Sequence, residues 1–219
     1  MEKKLEIKPF DLKIDDSLLI QNFSLAFFER QSICLLGESG CGKTILLKTL
    51  KNVSPSSITF YLGEELEQEV DESRLDSETK VFVQEFLKNK GYLEKKQALL
   101  SKILEQPQFL FCDDLHTFLT HREFSLLFSY LSSHDICFFY VTNSIEDTYL
   151  FDYMMVVKNH QIAIEGKPSS VLKEEKIMKL LGYQLPFYPN LSIQLGYYDV
   201  LDCICLSKEE LESALWKSN

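Results

Sequence analysis

The octapeptide Gly37-Glu38-Ser39-Gly40-Cys41-Gly42-Lys43-Thr44 constrains this chain more than any other stretch. An apolar run, Ser32-Ile33-Cys34-Leu35-Leu36, leads into it and reads as a buried strand. Ile45-Leu46-Leu47-Lys48-Thr49-Leu50 leaves it and reads as a helix. Glycines let the backbone curl between the two, so that several N–H groups converge at a helix N-terminus. Such a point is electropositive and suits a phosphate chain. The pattern G-x-x-x-x-G-K-[ST] adds two side chains: Lys43 to reach the β- and γ-phosphates, and Thr44 to offer its hydroxyl to Mg²⁺. The predicted nucleotide-binding residues are Gly37, Glu38, Ser39, Gly40, Cys41, Gly42, Lys43 and Thr44.

A second strand ends in acid. Gln108-Phe109-Leu110-Phe111-Cys112 is followed by Asp113-Asp114. An apolar parallel strand that ends in Asp beside a phosphate loop is how such sheets hold Mg²⁺. Asp113 is the predicted metal residue with Thr44, and Asp114 is placed to orient or deprotonate an attacking water. Asp is shorter than Glu by one methylene, and that reach matters in catalysis.

The rest of the chain alternates strand and helix, as a parallel α/β sheet requires. Strands are expected at Leu5–Ile14, Leu18–Phe28, Ile58–Leu62, Asp135–Val141, Tyr153–Val157 and Gln161–Ile164, the last two as a hairpin around Asn159-His160. Helices are expected at Val81–Asn89, Leu93–Leu104, Glu123–Leu131 and Ile145–Leu150, with a break at Gly91. Ser54-Pro55-Ser56-Ser57 reads as a break, and the acidic stretch Glu64–Glu72 as a solvated loop. A tail from Ser169 is helical in part, broken at Leu185-Pro186-Phe187.

Composition removes several classes. A chain of 219 residues holds one α/β domain and a small appendage. A formal charge of −10 argues against nonspecific binding of nucleic acid or anionic lipid. No apolar run is long enough to span a bilayer, and Met1–Glu6 has no signal-peptide core, so the expected location is cytoplasmic. The six cysteines are scattered and read as reduced thiols; Cys203-Ile204-Cys205 is too sparse for zinc. His116, His121, His134 and His160 show no metal spacing.

The order of these elements resembles an ATP-binding-cassette (ABC) transporter ATPase, a P-loop NTPase. The phosphate loop, the Asp113-Asp114 strand and the segment Val141-Thr142-Asn143-Ser144-Ile145-Glu146-Asp147 stand in that family's order. Gln97–Pro107 resembles the helix leaving its signature motif, and Glu165–Leu172 the turn after its last hairpin. Leu180-Leu181-Gly182-Tyr183-Gln184-Leu185-Pro186-Phe187, with Leu206–Leu211, resembles the C-terminal extension of energy-coupling-factor (ECF, cobalt-type) ATPases. The resemblance implies a mostly parallel α/β sheet flanked by helices with an N-terminal antiparallel β portion. It implies an ATPase domain at 1–168, with a reduced helical subdomain at about 64–104, and a dimerisation element at 169–219. It implies Mg²⁺ and ATP as ligands, a second ABC ATPase and an integral membrane subunit as partners, and a place on the cytoplasmic face of the membrane.

The departures are as informative. Where the family has Leu-Ser-Gly-Gly-Gln, this chain has Lys90-Gly91-Tyr92-Leu93-Glu94. The catalytic Glu position holds Asp114, the switch His position Asn143, and the dimer-loop Asp position Thr120. Phe10 is the candidate for the aromatic that stacks on the base, and Gln84 for a remnant of the glutamine loop. Three readings follow: a hydrolysing transporter subunit with Asp114 and Asn143 catalytic; a degenerate nucleotide-binding half of a heterodimer; and a P-loop kinase. The last is disfavoured because Arg30, Arg74 and Arg122 do not cluster.

Overall fold

The computed structural model describes residues 4–53, 57–63, 70, 73 and 75–217. Strands β1 (Leu5–Ile14) and β2 (Ser17–Phe27) form an antiparallel pair, followed by β3 (Ser32–Gly37), α1 (Lys43–Val53) and β4 (Ile58–Tyr61). Then come α2 (Ser77–Phe86), α3 (Leu93–Leu104), β5 (Phe109–Asp113), α4 (His121–Ser133) and β6 (Cys137–Thr142). The hairpin β7 (Tyr153–Lys158) and β8 (Gln161–Gly166) closes the sheet, and α5 (Pro168–Lys173), α6 (Glu175–Leu180), α7 (Phe187–Gly196) and α8 (Lys208–Lys217) form the tail.

The main sheet has the order β4-β5-β6-β3-β7-β8, parallel except for β8. Its central strands are apolar throughout because both faces are covered. The pleat divides them by alternation. On one face Cys34, Leu36, Leu110, Cys112, Phe138 and Tyr140 join the helical cluster that includes α2, α3 and α4. On the other, Ile33, Leu35, Phe109, Phe111, Phe139 and Val141 meet α1 and the β1–β2 ribbon. Phe27 of the ribbon lies 5.8 Å, centroid to centroid, from both Phe109 and Phe111. Asn159 and His160 both have positive φ (49° and 65°), as a two-residue hairpin turn matched to strand twist requires. The Gln21 N–H donates to the His160 carbonyl at 2.6 Å, which ties the ribbon to that turn.

Helix α2 starts earlier than expected and ends earlier. Asp76 caps it, its carboxylate accepting from the N–H groups of Glu78 and Thr79, and the turn at Asn89, which accepts from the Gly91 N–H, follows its end. Gln84 is exposed in the middle of this helix, so it is not a loop glutamine. Residues 54–56 and nearly all of Glu64–Glu72 lie outside the described residues. The strand residues Cys34, Cys112 and Cys137 are buried, as small apolar residues would be.

Candidate phosphate site

At the C-terminal end of β3 the chain turns through the predicted loop and enters α1 at Lys43. Gly40 and Gly42 have φ of +83° and +99°, a region that L side chains rarely adopt. At Gly42 there is a second constraint. A Cβ there would lie 3.1 Å from Cβ of Leu19, which the β1–β2 ribbon lays over the loop. No local pattern signals that cover, since Leu19 is one leucine among several in β2.

Lys43 is 7% exposed, and its ammonium donates to the carbonyls of Gly37 (2.8 Å) and Glu38 (3.0 Å). Cys41 Sγ lies 3.8 Å from the same Nζ. Glu38 points the other way and pairs with Lys158 of β7. Asn143 Nδ2 donates to Ser39 Oγ at 3.2 Å, so the residue at the switch position touches the loop.

Asp113 ends β5, where pairing with β6 places it opposite Val141. It is 8% exposed. The Thr44 hydroxyl donates to its carboxylate, while Oδ1 is buried with no hydrogen-bond partner. Burial raises the Asp113 carboxyl above the usual range, Asp114 adds to that, and Thr44, Lys43 and Lys48 oppose it. A buried carboxylate oxygen without a donor, beside a threonine hydroxyl and a lysine, fits a divalent cation between them.

Asp114 is arranged differently. Its backbone is left-handed (φ 41°, ψ 45°), with its N–H donating to the Val141 carbonyl. Its Oδ1 is also buried with no hydrogen-bond partner, and lies 3.9 Å from His116 Nδ1. The same nitrogen is 3.5 Å from Asp147 Oδ2, which accepts from the hydroxyls of Tyr140 (3.0 Å) and Thr142 (2.9 Å). Burial raises Asp147; Thr142, His116 and Tyr140 counter it. The fold thus unites the loop, Asp113 and Asn143, and sets Asp114 beside His116, for which the sequence shows no metal spacing.

Lys90–Glu94, which stand where the family has its signature motif, lead into α3. Tyr92 is 62% exposed and left-handed (φ 54°) at the start of α3. Phe10 packs edge-on against Phe23, with centroids 5.8 Å apart. Thr120 caps α4: its hydroxyl accepts from the Glu123 N–H, and Glu123 accepts from the Thr120 N–H.

The tail reaches the loop as well. A Cβ on Gly182 would lie 3.1 Å from Glu38 Oε1. The Tyr183 hydroxyl is buried without a partner, and its pKa is pushed up by burial, with Cys41 and Glu38 adding to it. No helix among the described residues is long and apolar enough to cross a membrane.

Residues 20–105 match the family model described as ABC transporter. The curated proteins yield no match. Among solved structures, the chain is similar to CbiO1 of Clostridium perfringens, described as part of the ABC transporter complex CbiONQ. The TM-score is 0.59 at 15% identity, covering 89% of this chain and 97% of that one. At that identity the likeness speaks for the fold, and the family match speaks for the segment that carries the phosphate loop. By sequence over residues 20–105 the chain is similar to the family described as ABC transporter, and by fold it is similar to CbiO1 over most of its length.

Proposed function

We propose that this chain is the ATP-binding subunit of an ECF-type ABC transporter, taking Mg·ATP at Gly37–Thr44. The observation that carries the reading is the convergence of Lys43, Thr44 and Asp113, with Asp113 Oδ1 buried and unpaired. The loop N–H groups and Lys43 would bind the phosphates, Thr44 and Asp113 would hold the cation, and Asn143 would donate to the terminal phosphate. Mg²⁺, when bound, supplies positive charge that offsets charge developing on the phosphate oxygens. Asp114 would accept a proton from water, and His116 stands where it can orient that carboxylate. The likeness to a component of a CbiONQ transporter complex supports membrane transporter partners; a second ATPase subunit and a place on the cytoplasmic face of a membrane complete the proposal. Residues 169–219 would form a C-terminal element that meets the second ATPase.

A second reading, a nucleotide-binding half that hydrolyses slowly within a heterodimer, is favoured by Tyr92 and Leu93. Bulky side chains there obstruct the close backbone approach that a γ-phosphate of a partner's site needs. Calorimetry with Mg·ATP tests the first claim: the unaltered chain should bind, and Lys43→Ala should weaken binding by about 100-fold or more, the scale of losing a charge-assisted phosphate contact in a dry site. Absence of heat from the unaltered chain overturns the reading. Turnover then separates the two versions. Substantial hydrolysis by the chain alone defeats the degenerate one, whereas turnover gained only in Asp114→Glu with Asn143→His supports it.

A further inference from the structure

The tail holds a chemical grouping unrelated to the phosphate site. Cys203 and Cys205 stand in the loop between α7 and α8, and their Sγ atoms are 3.9 Å apart. Cys203 is exposed and Cys205 is 2% exposed, and both are free thiols. The Cys205 N–H donates to Ser192 Oγ at 3.1 Å, and that hydroxyl donates to the Tyr188 carbonyl at 2.8 Å. The Cys205 backbone is therefore anchored to α7, its side chain is buried, and Cys203 faces solvent. A cavity of about 620 Å³ opens over the pair, walled by Asp202, Glu209, Glu210 and Ser213.

We propose that Cys203 and Cys205 form a dithiol–disulfide site that reacts reversibly with small disulfides carrying little negative charge. Three observations combine. A disulfide bond is about 2.05 Å long, so the sulfurs must close by about 1.9 Å (3.9 − 2.05), a shift that rotation about the Cα–Cβ bond of exposed Cys203 can supply. The cavity gives a reagent room beside Cys203, and its three carboxylates repel an anionic one. The other cysteines differ in setting: Cys34, Cys112 and Cys137 are buried in strands, and Cys41 lies in the phosphate loop.

The step balances without a bound cofactor. The Cys203 thiolate attacks one sulfur of the small disulfide, forming a mixed disulfide and releasing one thiolate, which takes up a proton. Cys205 loses its proton to solvent and attacks Cys203 Sγ, releasing the second small thiol. The two cysteines lose two electrons and two protons, and the reagent gains them. Burial pushes the Cys205 thiol up, Cys203 and Glu210 add to this, and Ser192 opposes it, which matches Cys205 acting second.

The test treats the full chain with cystamine or with oxidised glutathione and follows intact mass and alkylated peptides. The expected product is lighter by two hydrogens, with Cys203 and Cys205 jointly protected and Cys41 scored separately. Cystamine, a dication, should react at least about tenfold faster than oxidised glutathione at low salt, and the ratio should shrink as salt screens the carboxylates. Cys203→Ser should abolish the product, and Cys205→Ala should stop at a mixed disulfide on Cys203. A mixed disulfide that persists in the unaltered chain, no reaction at this pair, or equal rates with the two reagents would overturn the proposal.

Discussion

Two buried lysines, Lys43 and Lys96, do the same local task with opposite consequences. Each begins or nearly begins a helix, and each donates to carbonyls of the loop just before it. Lys43 holds Gly37 and Glu38 ahead of α1, and Lys96 holds Asn89, at 2.9 Å, ahead of α3. Lys96, however, is 0% exposed and ion-paired with Glu123 at 2.6 Å. Among the described residues no carboxylate stands within ion-pair distance of Lys43. A desolvated charge is stable when a partner neutralises it internally. Where the fold withholds that partner, the charge remains available to an anion that arrives from outside. The first lysine is thus set for binding and the second for architecture.

Removing each lysine separates these roles. Lys96→Met leaves the Glu123 carboxylate buried and unpaired, which should destabilise the chain by about 3–5 kcal/mol in denaturant unfolding. Adding Glu123→Leu should recover most of that and leave a deficit of about 1 kcal/mol, because Glu123 also completes the Thr120 capping box. Lys43→Met, by contrast, should stay within about 1 kcal/mol of the unaltered chain while nucleotide binding is lost, since its contacts are with carbonyls that water can serve. A loss of stability at Lys43 as large as that at Lys96 would erase the distinction.

The two positive-φ glycines sharpen it within the loop. Alanine at either costs roughly 1–2 kcal/mol of backbone strain. At Gly40, among the described residues, nothing lies within 4 Å of the added methyl, whereas at Gly42 it meets Leu19. Gly42→Ala should therefore weaken Mg·ATP binding about tenfold beyond Gly40→Ala. Equal losses measured by calorimetry would show that the ribbon does not brace the loop.

What could be read beforehand was whatever is local in the chain. The apolar runs of β3, β5 and β6 and the loop between β3 and α1 declare themselves within a few residues, because periodicity and turn chemistry are short-range. The Asp113-Asp114 strand end is legible for the same reason. Lys96 with Glu123, Lys158 with Glu38, and Tyr183 against Cys41 and Glu38 are not, since each joins segments far apart that only tertiary packing brings together. Thr120 is an intermediate case: Thr-His-Arg-Glu carries the capping-box spacing, yet the resemblance drew attention to a missing dimer-loop aspartate instead. His116 sits three residues beyond Asp113, but only the fold turns it toward Asp114 and Asp147.

The smallest effect is a difference of sign between two carboxyls. Burial alone would raise Glu123, but the Lys96 and Thr120 hydrogen bonds hold it below the usual range. Its folded-state pKa is lower than its unfolded one, so the unfolded chain takes up protons first on acidification. The stability it contributes is full above the unfolded value and is lost as pH falls through the folded value. Asp113 runs the other way. Its folded pKa is raised, so the native state holds its proton over a window where the unfolded chain has released it, and that carboxyl subtracts stability as pH rises through the window. Asp113→Asn should therefore stabilise the nucleotide-free chain by about 0.5–1 kcal/mol near neutral pH, a gain that vanishes below the ordinary aspartate range. Glu123→Gln should lower stability near neutral pH and flatten the loss on acidification. Unfolding midpoints across an acid-to-neutral series check both, and slopes of the same sign for the two variants would mean that Asp113 is held by its neighbours as a structural carboxylate rather than left poised for a cation.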